Sequence, residues 1–214
     1  MTTQQKPSLI IYGAGGHARV VADVARACGV SISIMVDDAP VANMIDGSPV
    51  RAAAEFDVRK ASPFSFIVGI GNNAVRRRLF LELKEFGEPF TLVHPFTSIS
   101  PRAALGQGTV IMPGVVVNTG ATIHDNVILN TSCSIDHDCV IGPHAHICPG
   151  VRLAGTVTVG AGTMIGTGAV VIPGIRIGEN CTIGAGSVVV RDIPDGSVAY
   201  GSPCRVRAAA SELR

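Results

Sequence analysis

Tryptophan is absent from these 214 residues, aromatics make up only 4% of them, and charged residues only 15%. A chain so poor in large rings does not fill a thick sandwich core; its 25 glycines suit a tightly wound β structure instead. The few charges nearly cancel, at net +1, so no global field draws the protein to nucleic acid or to an anionic membrane. Any anionic ligand must therefore be held by a local site. No apolar run reaches the roughly 18 residues needed to span a bilayer. The opening MTTQQKPSLIIYGAGG also lacks the basic-then-apolar order of a secretory signal, so a cytoplasmic protein without membrane insertion is expected. Six cysteines contain no CxxC pair, which argues against zinc or redox motifs and for reduced thiols rather than a disulfide framework. What remains is 47% apolar, ample for a buried core.

Stepping through the second half six residues at a time exposes the organising pattern. From Val93 to Val189 every sixth residue is Val, Ile or Leu, seventeen positions without a break. Four residues after each stands a small or β-branched residue, as Val115, Ala121, Val127, Cys133, Cys139 and Ala145 illustrate. One large and one small inward residue per hexapeptide fits short parallel strands, three to a turn, wound into a triangular prism. Side chains then stack at i and i+18, as Ile135, Leu153 and Val171 do, and each coil buries its floor against the next. Because the repeat is unbroken, no long loop leaves the prism, and faces and corners must build any site. Its flat faces, with small outward residues, predict a homotrimer.

The first 92 residues follow a different rule. SLIIY leads into GAGGHARVVADVARACG, where Val20, Val21, Val24 and Cys28 recur at helical spacing. A second strand, SISIMVDD, ends in Asp37 and Asp38; a third, FSFIVGIGNN, ends in Gly71 and precedes the helical AVRRRLFLELKEFG; FTLVHP closes the series. The order is that of a small Rossmann-like open sheet, giving a mixed chain with an α/β domain over 1–92 and a β-helix over 93–214. Gly13, Gly15 and Gly16 let backbone approach a ligand at the carboxyl edge of the sheet, where the following helix N-terminus favours an anion. Ala18 stands where a dinucleotide fingerprint usually has glycine, so an NAD reading is weaker than one for another nucleotide, and a tight turn without ligand is the bland alternative.

The densest polar stretch of the repeat, NTSCSIDHDCVIGPHAH, carries His137, His144 and His146. Histidine titrates near working pH and is the natural base for a proton transfer. His137 stands two places after inward Ile135, so it projects from the prism between Asp136 and Asp138; a carboxylate on one imidazole nitrogen fixes the tautomer and raises the basicity of the other. Taken alone, His144 and His146 are expected to be solvated corner residues. No spacing matches a three-histidine zinc site, so no metal is expected. Cys133, Cys139 and Cys181 occupy the small inward column and read as core.

The set IYGAGGHA, VDD, GIGNN, LNTSCSIDHDC and GSPCRV resembles the sugar O- and N-acetyltransferases that join a nucleotide-sugar-binding domain to a hexapeptide β-helix. Within them it is most similar to the bacterial UDP-4-amino-sugar N-acetyltransferases of the bacillosamine type. The resemblance implies a left-handed parallel β-helix and acetyl-CoA as donor. It also implies a homotrimer with active sites between subunits and direct attack by the 4-amino group of a UDP-linked 4-amino-4,6-dideoxy sugar. It implies His137 as general base and Asp138 as its partner, where relatives carry Glu. Around the nucleotide it puts Gly15, Gly16, His17, Asp37, Asp38 and Gly71, with Asn130 near the sugar. Near the thioester it puts His146, and along the coenzyme Gly155, Thr167 and Ala185, the last where a relative has glycine. An O-acetyltransferase of a sugar such as sialic acid, an enzyme for GDP- or dTDP-linked amino sugars, and a trimer that binds nucleotide sugars without catalysis are the competing readings.

Overall fold

The structure, a computed structural model, describes residues 8–61 and 63–209, and the chain divides after Pro95 into two compact units. In the first unit the strands are β1 (Ser8–Tyr12), β2 (Ser31–Asp37), β3 (Met44–Ile45), β4 (Ser48–Ala52), β5 (Ser65–Val68) and β6 (Glu88–Pro89). They lie in the order β3-β4-β2-β1-β5-β6, parallel except for the β3–β4 hairpin. β1 is central because Leu9, Ile10, Ile11 and Tyr12 are all buried, the continuous apolar run that a strand covered on both faces requires. Successive strands lie on one side of β1 and then, with β5, on the other. The carboxyl ends of β1 and β5 are therefore the switch point at which open α/β sheets hold ligands.

Two helices frame that point, α1 (Gly16–Ala27) after β1 and α2 (Asn73–Lys84) after β5. The face that α1 buries is Ala18, Val21, Ala22, Val24 and Ala25; Val20, assigned to that face from its spacing, is 43% exposed because the alanines set the phase. α2 starts where the Asn72 side chain accepts from the Val75 N–H at 3.0 Å, a side-chain N-cap. One core cluster gathers Ile10, Tyr12, Val36, Phe66, Val68, Phe80 and Leu83, so the scarce aromatics concentrate in this unit. The β3–β4 hairpin was not anticipated, although its Asp46-Gly47 turn, with both φ values positive, is a strong two-residue hairpin signal. FTLVHP yields only the two-residue strand Leu92–Val93, and Glu88–Pro89 takes the edge beside β5 instead.

The second unit is a left-handed parallel β-helix of two-residue strands. Ser134–Ile135 pairs with Val116–Val117 below and Arg152–Leu153 above, each in parallel register at a step of eighteen residues, so Val117, Ile135, Leu153 and Val171 stack as expected. From Ile111 to Val189 every large inward residue is buried, whereas Leu105 in the first coil is 36% exposed. The corners are equally regular. Every sixth residue from Gly108 to Gly186 has positive φ, fourteen in succession, and where glycine is missing the position is filled by Asn126, Ser132, Asp138, His144, Thr156 and Asn180. Several of these are Asn, Asp or His, the types that enter the left-handed region most readily after glycine. At the carboxyl end Ser197–Tyr200 stacks on the last coil and pairs antiparallel with Arg205–Ala209. Among the described residues no helix is long and apolar enough to cross a membrane.

Candidate active site

His137 and Asp138 meet because they stand at a corner. On a strand, neighbouring side chains point to opposite faces; here the left-handed φ of Asp138 turns the chain, and its Oδ2 lies 2.9 Å from His137 Nδ1. The carboxylate accepts, so Nδ1 carries the proton and Nε2 keeps its lone pair. Asp136 completes the corner from the other side: its Oδ1 accepts from the His137 backbone N–H and from Asn118 Nδ2, both at 2.8 Å. The Asn118 hydrogen bond, chiefly, holds the Asp136 carboxyl below its ordinary value. The bond to Asp138, helped by the charges of Asp136 and Asp138, raises the His137 pKa above its ordinary 6.5, and the smaller effect of desolvation opposes them.

Directly above, one coil on, is Gly155. A Cβ built there would meet His137 Nε2 and Cε1, so the missing side chain is the space the imidazole occupies. A groove of about 240 Å³ opens beside this corner, lined by Asn118, Ser134, Asp136, Arg152 and Ala154 among others. The pair itself is open, with the His137 side chain 54% and the Asp138 side chain 62% exposed on the single chain.

His146 and Asn130 lie elsewhere. Nine residues, half a coil, separate His146 from His137, and its neighbours on adjacent coils are Ile128 and Met164. The Thr131 N–H donates to Asn130 Oδ1 at 2.8 Å, which turns the Asn130 amide nitrogen towards His146 Nε2 at 3.0 Å. Nε2 therefore accepts, and Nδ1–H is the donor that His146 has. The expectation of solvated corners for His144 and His146 fails, since both are buried; His144 Nδ1 pairs with Asn126 Nδ2 at 2.9 Å, one αL position on another. Thr167 and Ala185 fall on the corner that begins at Thr131, whereas Gly155 stands on that of His137. One chain thus presents the assigned residues on two corners, and it does not bring them together.

Cys133, Cys139 and Cys181 are buried, and burial pushes their thiols up, Cys133 to about 12. At neutral pH they are packed protonated thiols and poor nucleophiles.

In the first unit, Gly13 has φ +117°, and a Cβ there would lie 2.9 Å from the Gly69 carbonyl oxygen. Gly69 in turn lets α1 approach, since its Cβ would press on Ala18 at 3.0 Å; alanine suffices at position 18 because glycine is supplied across the contact. Gly15, Gly16 and Gly71 differ from these. None has positive φ, and nothing lies within 4 Å of a Cβ built at any of them. Packing within the described residues therefore does not require glycine at these three positions. A cavity of about 290 Å³ lies at this edge of the sheet, lined by Tyr12, Gly13, Asp37, Asp38, Ile70 and Arg78 among others.

Asp37 is already engaged: Oδ2 accepts from the Ala14 N–H at 2.7 Å and Oδ1 from the Ala39 N–H at 3.0 Å, so it pins the glycine loop. Burial, with the charge of Arg76, pushes His17 down to about 4, which leaves it a neutral hydrogen-bonding group at pH 7. Arg76, within the helical VRRRLF, is 1% exposed, and its Nη1 donates to the carbonyls of Ile70 and Gly71 at 3.2 Å, fastening the second glycine loop. Nothing in the sequence signals that role. Asn118 was equally unforeseen, although its place eighteen residues before Asp136 marks it as the neighbour one coil away.

A histidine–carboxylate pair outside a hexapeptide β-helix, with a glycine-lined switch point in a preceding α/β unit, points to the hexapeptide class of acyltransferases. Residues 8–83 match the PglD N-terminal domain, and residues 120–155 and 156–191 each match the bacterial transferase hexapeptide family of six repeats. The acetyltransferase domain of PglB from Neisseria gonorrhoeae FA1090, solved with acetyl coenzyme A, is 35% identical over 95% of this chain and 100% of its own, with a TM-score of 0.88. PerB from Caulobacter crescentus, solved with CoA and GDP-perosamine, is 36% identical over 94% of this chain and 97% of its own, with a TM-score of 0.89. GDP-perosamine N-acetyltransferase of Escherichia coli O157:H7 is 29% identical over 156 residues, 70% of this chain and 71% of that protein. The chain belongs to the hexapeptide-repeat sugar N-acetyltransferases that carry a PglD-type N-terminal domain.

Asp37→Ala is expected to release the glycine loop, raising the KM for a nucleotide-bearing acceptor about tenfold and leaving that for the acyl donor within two- to three-fold. Initial rates with each substrate varied in turn check this; a larger effect on the donor would assign the loop to the wrong substrate.

Proposed function

We propose that the enzyme transfers an acetyl group from acetyl-CoA to the 4-amino group of a nucleotide-linked 4-amino-4,6-dideoxy sugar, with His137 as general base. The observation that carries this reading is the 2.9 Å bond between His137 Nδ1 and Asp138 Oδ2, which orients an exposed, unprotonated Nε2 over the gap left by Gly155. The amine attacks the thioester carbonyl carbon, and Nε2 accepts the proton that the nitrogen loses as the new C–N bond forms. The tetrahedral oxyanion collapses and the C–S bond breaks, releasing the thiolate of CoA, which takes up a proton. Asp138 stabilises the imidazolium while it lasts. His146 is the assigned partner of the thioester or oxyanion.

Because His137 and Gly155 occupy one corner and Asn130, His146, Thr167 and Ala185 another, the complete site is assembled between neighbouring prisms of a homotrimer. The glycines at 15, 16 and 71, with His17, Asp37 and Asp38, hold the nucleotide. UDP is the first reading of that nucleotide, on the motifs that the chain shares with UDP-4-amino-sugar enzymes. GDP is the second, favoured by the likeness to PerB, whose structure contains GDP-perosamine.

One assay addresses class and acceptor together: release of free CoA from acetyl-CoA across UDP-, GDP- and dTDP-linked 4-amino sugars, with the product mass recorded. The expected result is one CoA released per sugar gaining a single acetyl group, with one nucleotide preferred. Acetylation of a hydroxyl in place of the amine, or no turnover with any amino sugar, overturns the reading.

A further inference from the structure

A buried arginine in the first turn of a helix runs against two ordinary preferences. The macrodipole makes a cation unfavourable near a helix N-terminus, and a charge taken out of water is costly unless its hydrogen bonds are made. Arg76 stands in that turn of α2, four residues after the N-cap Asn72, and is 1% exposed, whereas its neighbours Arg77 and Arg78 are exposed. Side chains on a helix lean towards its N-terminus, so the guanidinium runs back to the loop that precedes α2. There Nη1 reaches the carbonyls of Ile70 and Gly71, both at 3.2 Å. Its charge is felt in the first glycine loop too: after burial, it is the cause that lowers His17.

Two successive carbonyls on one guanidinium fix two peptide planes. Both peptides are trans, and in a trans peptide the C=O and the N–H that follows it point in opposite directions. The N–H groups of Gly71 and Asn72 are therefore turned away from Arg76. Neither has an acceptor among the described residues, so both are free to donate outward. The Asn72 side chain does not compete for them, because its Oδ1 is taken by the Val75 N–H. Nothing within 4 Å of a Cβ at Gly71 covers the loop. We infer that Arg76 is a positioning residue for the acceptor: by holding the carbonyls of Ile70 and Gly71 inward it aims the N–H groups of Gly71 and Asn72 at the diphosphate of the nucleotide sugar. The inference rests on the reading above that the glycine loops hold the nucleotide. A pair of adjacent outward N–H groups suits an anion, and at the carboxyl end of β5 it meets a ligand that lies at the switch point. Arg76 itself is too deeply buried to touch that ligand, so it acts through the loop.

The test measures binding of UDP, GDP, uridine and guanosine to the full chain by calorimetry, with KM and kcat recorded for the acceptor and for acetyl-CoA. Arg76→Met keeps the bulk of the side chain and removes its donors. It is expected to bind the preferred diphosphate about tenfold more weakly, the scale of one or two charge-assisted hydrogen bonds, and the matching nucleoside within about two-fold of the parent. The acceptor KM should rise with the diphosphate dissociation constant, while kcat and the acetyl-CoA KM stay within about three-fold. Arg76→Lys, whose ammonium can still serve a carbonyl, should recover part of the loss. Arg77→Met, which removes an exposed charge from the same helix, should lose nothing. Should Arg76→Met fail to fold, hydrogen exchange in the parent reads the same contact: the diphosphate should slow exchange at residues 70–72, and the nucleoside should not. Equal losses for diphosphate and nucleoside in Arg76→Met overturn the inference, since a loop that had merely collapsed would forfeit both. Undiminished diphosphate binding in Arg76→Met, an equal loss in Arg77→Met, or exchange at 70–72 that ignores the diphosphate overturns it as well, and each leaves the nucleotide reading intact. A parent that binds none of the four ligands defeats the nucleotide reading and this inference together.

Discussion

His137→Ala is expected to lower kcat about 10²–10⁴-fold, with both KM values within a few-fold of the parent, because a positioned general base contributes on that order to the rate. The fold should not notice. The imidazole lies outside the prism, more than half exposed, and the inward column on either side of it is Ile135 and Cys139. Thermal unfolding and assembly mass should therefore match the parent within error. Asp138→Asn should cost only about tenfold, since the base is weakened but present, and the double variant should be little worse than His137→Ala alone. Simple multiplication of the two losses would mean that the carboxylate acts through something other than this imidazole. Near-parent turnover by folded His137→Ala would send the proton elsewhere, to water or to His146.

The second large effect is expected from a single methyl group. Gly155→Ala needs no unusual backbone, but its Cβ collides with Nε2 and Cε1 of His137. The colliding atoms are the tip of an exposed side chain, so the ring can swing aside at little cost in stability. It then leaves its hydrogen bond to Asp138 or moves Nε2 from its place. We expect kcat to fall at least 10²-fold in a protein that unfolds within a degree or two of the parent, and Gly155→Ala/His137→Ala to be no slower than His137→Ala. A large loss of stability would show Gly155 to be a packing glycine, like Gly166, whose Cβ would strike the backbone of the next coil at 2.6 Å. Parent-like turnover would show that the ring can work from another position.

The contrast between those two glycines also marks what the sequence could reveal. The prism was legible because its periods are exact in number: six residues return the side chain to the inside, eighteen return it to the same face, and seventeen aliphatic positions leave no room for another reading. The same arithmetic puts His137 beyond Ile135 and outside. It could have found Asn118 beneath Asp136 as well, and it already holds the separation of His137 from His146 by half a coil. Burial is less periodic. His144 and His146 look like corner residues in the repeat yet are buried, each with a ring nitrogen against an asparagine amide.

In the α/β unit the helical stripe reads as phased on valines, whereas Ala18, Ala22 and Ala25 share the buried face with Val21 and Val24, and Ala18 packs close against Gly69. The resemblance puts Asp37 beside the nucleotide; in the structure its two oxygens accept from the N–H groups of Ala14 and Ala39, a hold on the glycine loop that its place at the end of a strand does not reveal. Arg76 was invisible for the opposite reason: a guanidinium that serves two carbonyl oxygens leaves no mark in a run of three arginines.

The central claim is that the His137–Asp138 pair supplies the base, and the pH dependence of kcat/KM tests it most directly. Only neutral His137 can accept the proton, so activity must fall on the acid side as the imidazole protonates. Its raised pKa puts that acid limb above the ordinary histidine value of 6.5, and Asp138→Asn, which removes the main cause of the rise, should move the limb to lower pH while the rate at the plateau drops. An acid limb that stays in place in Asp138→Asn, or that persists unchanged in His137→Ala, would show that another group carries the proton and would contradict the account.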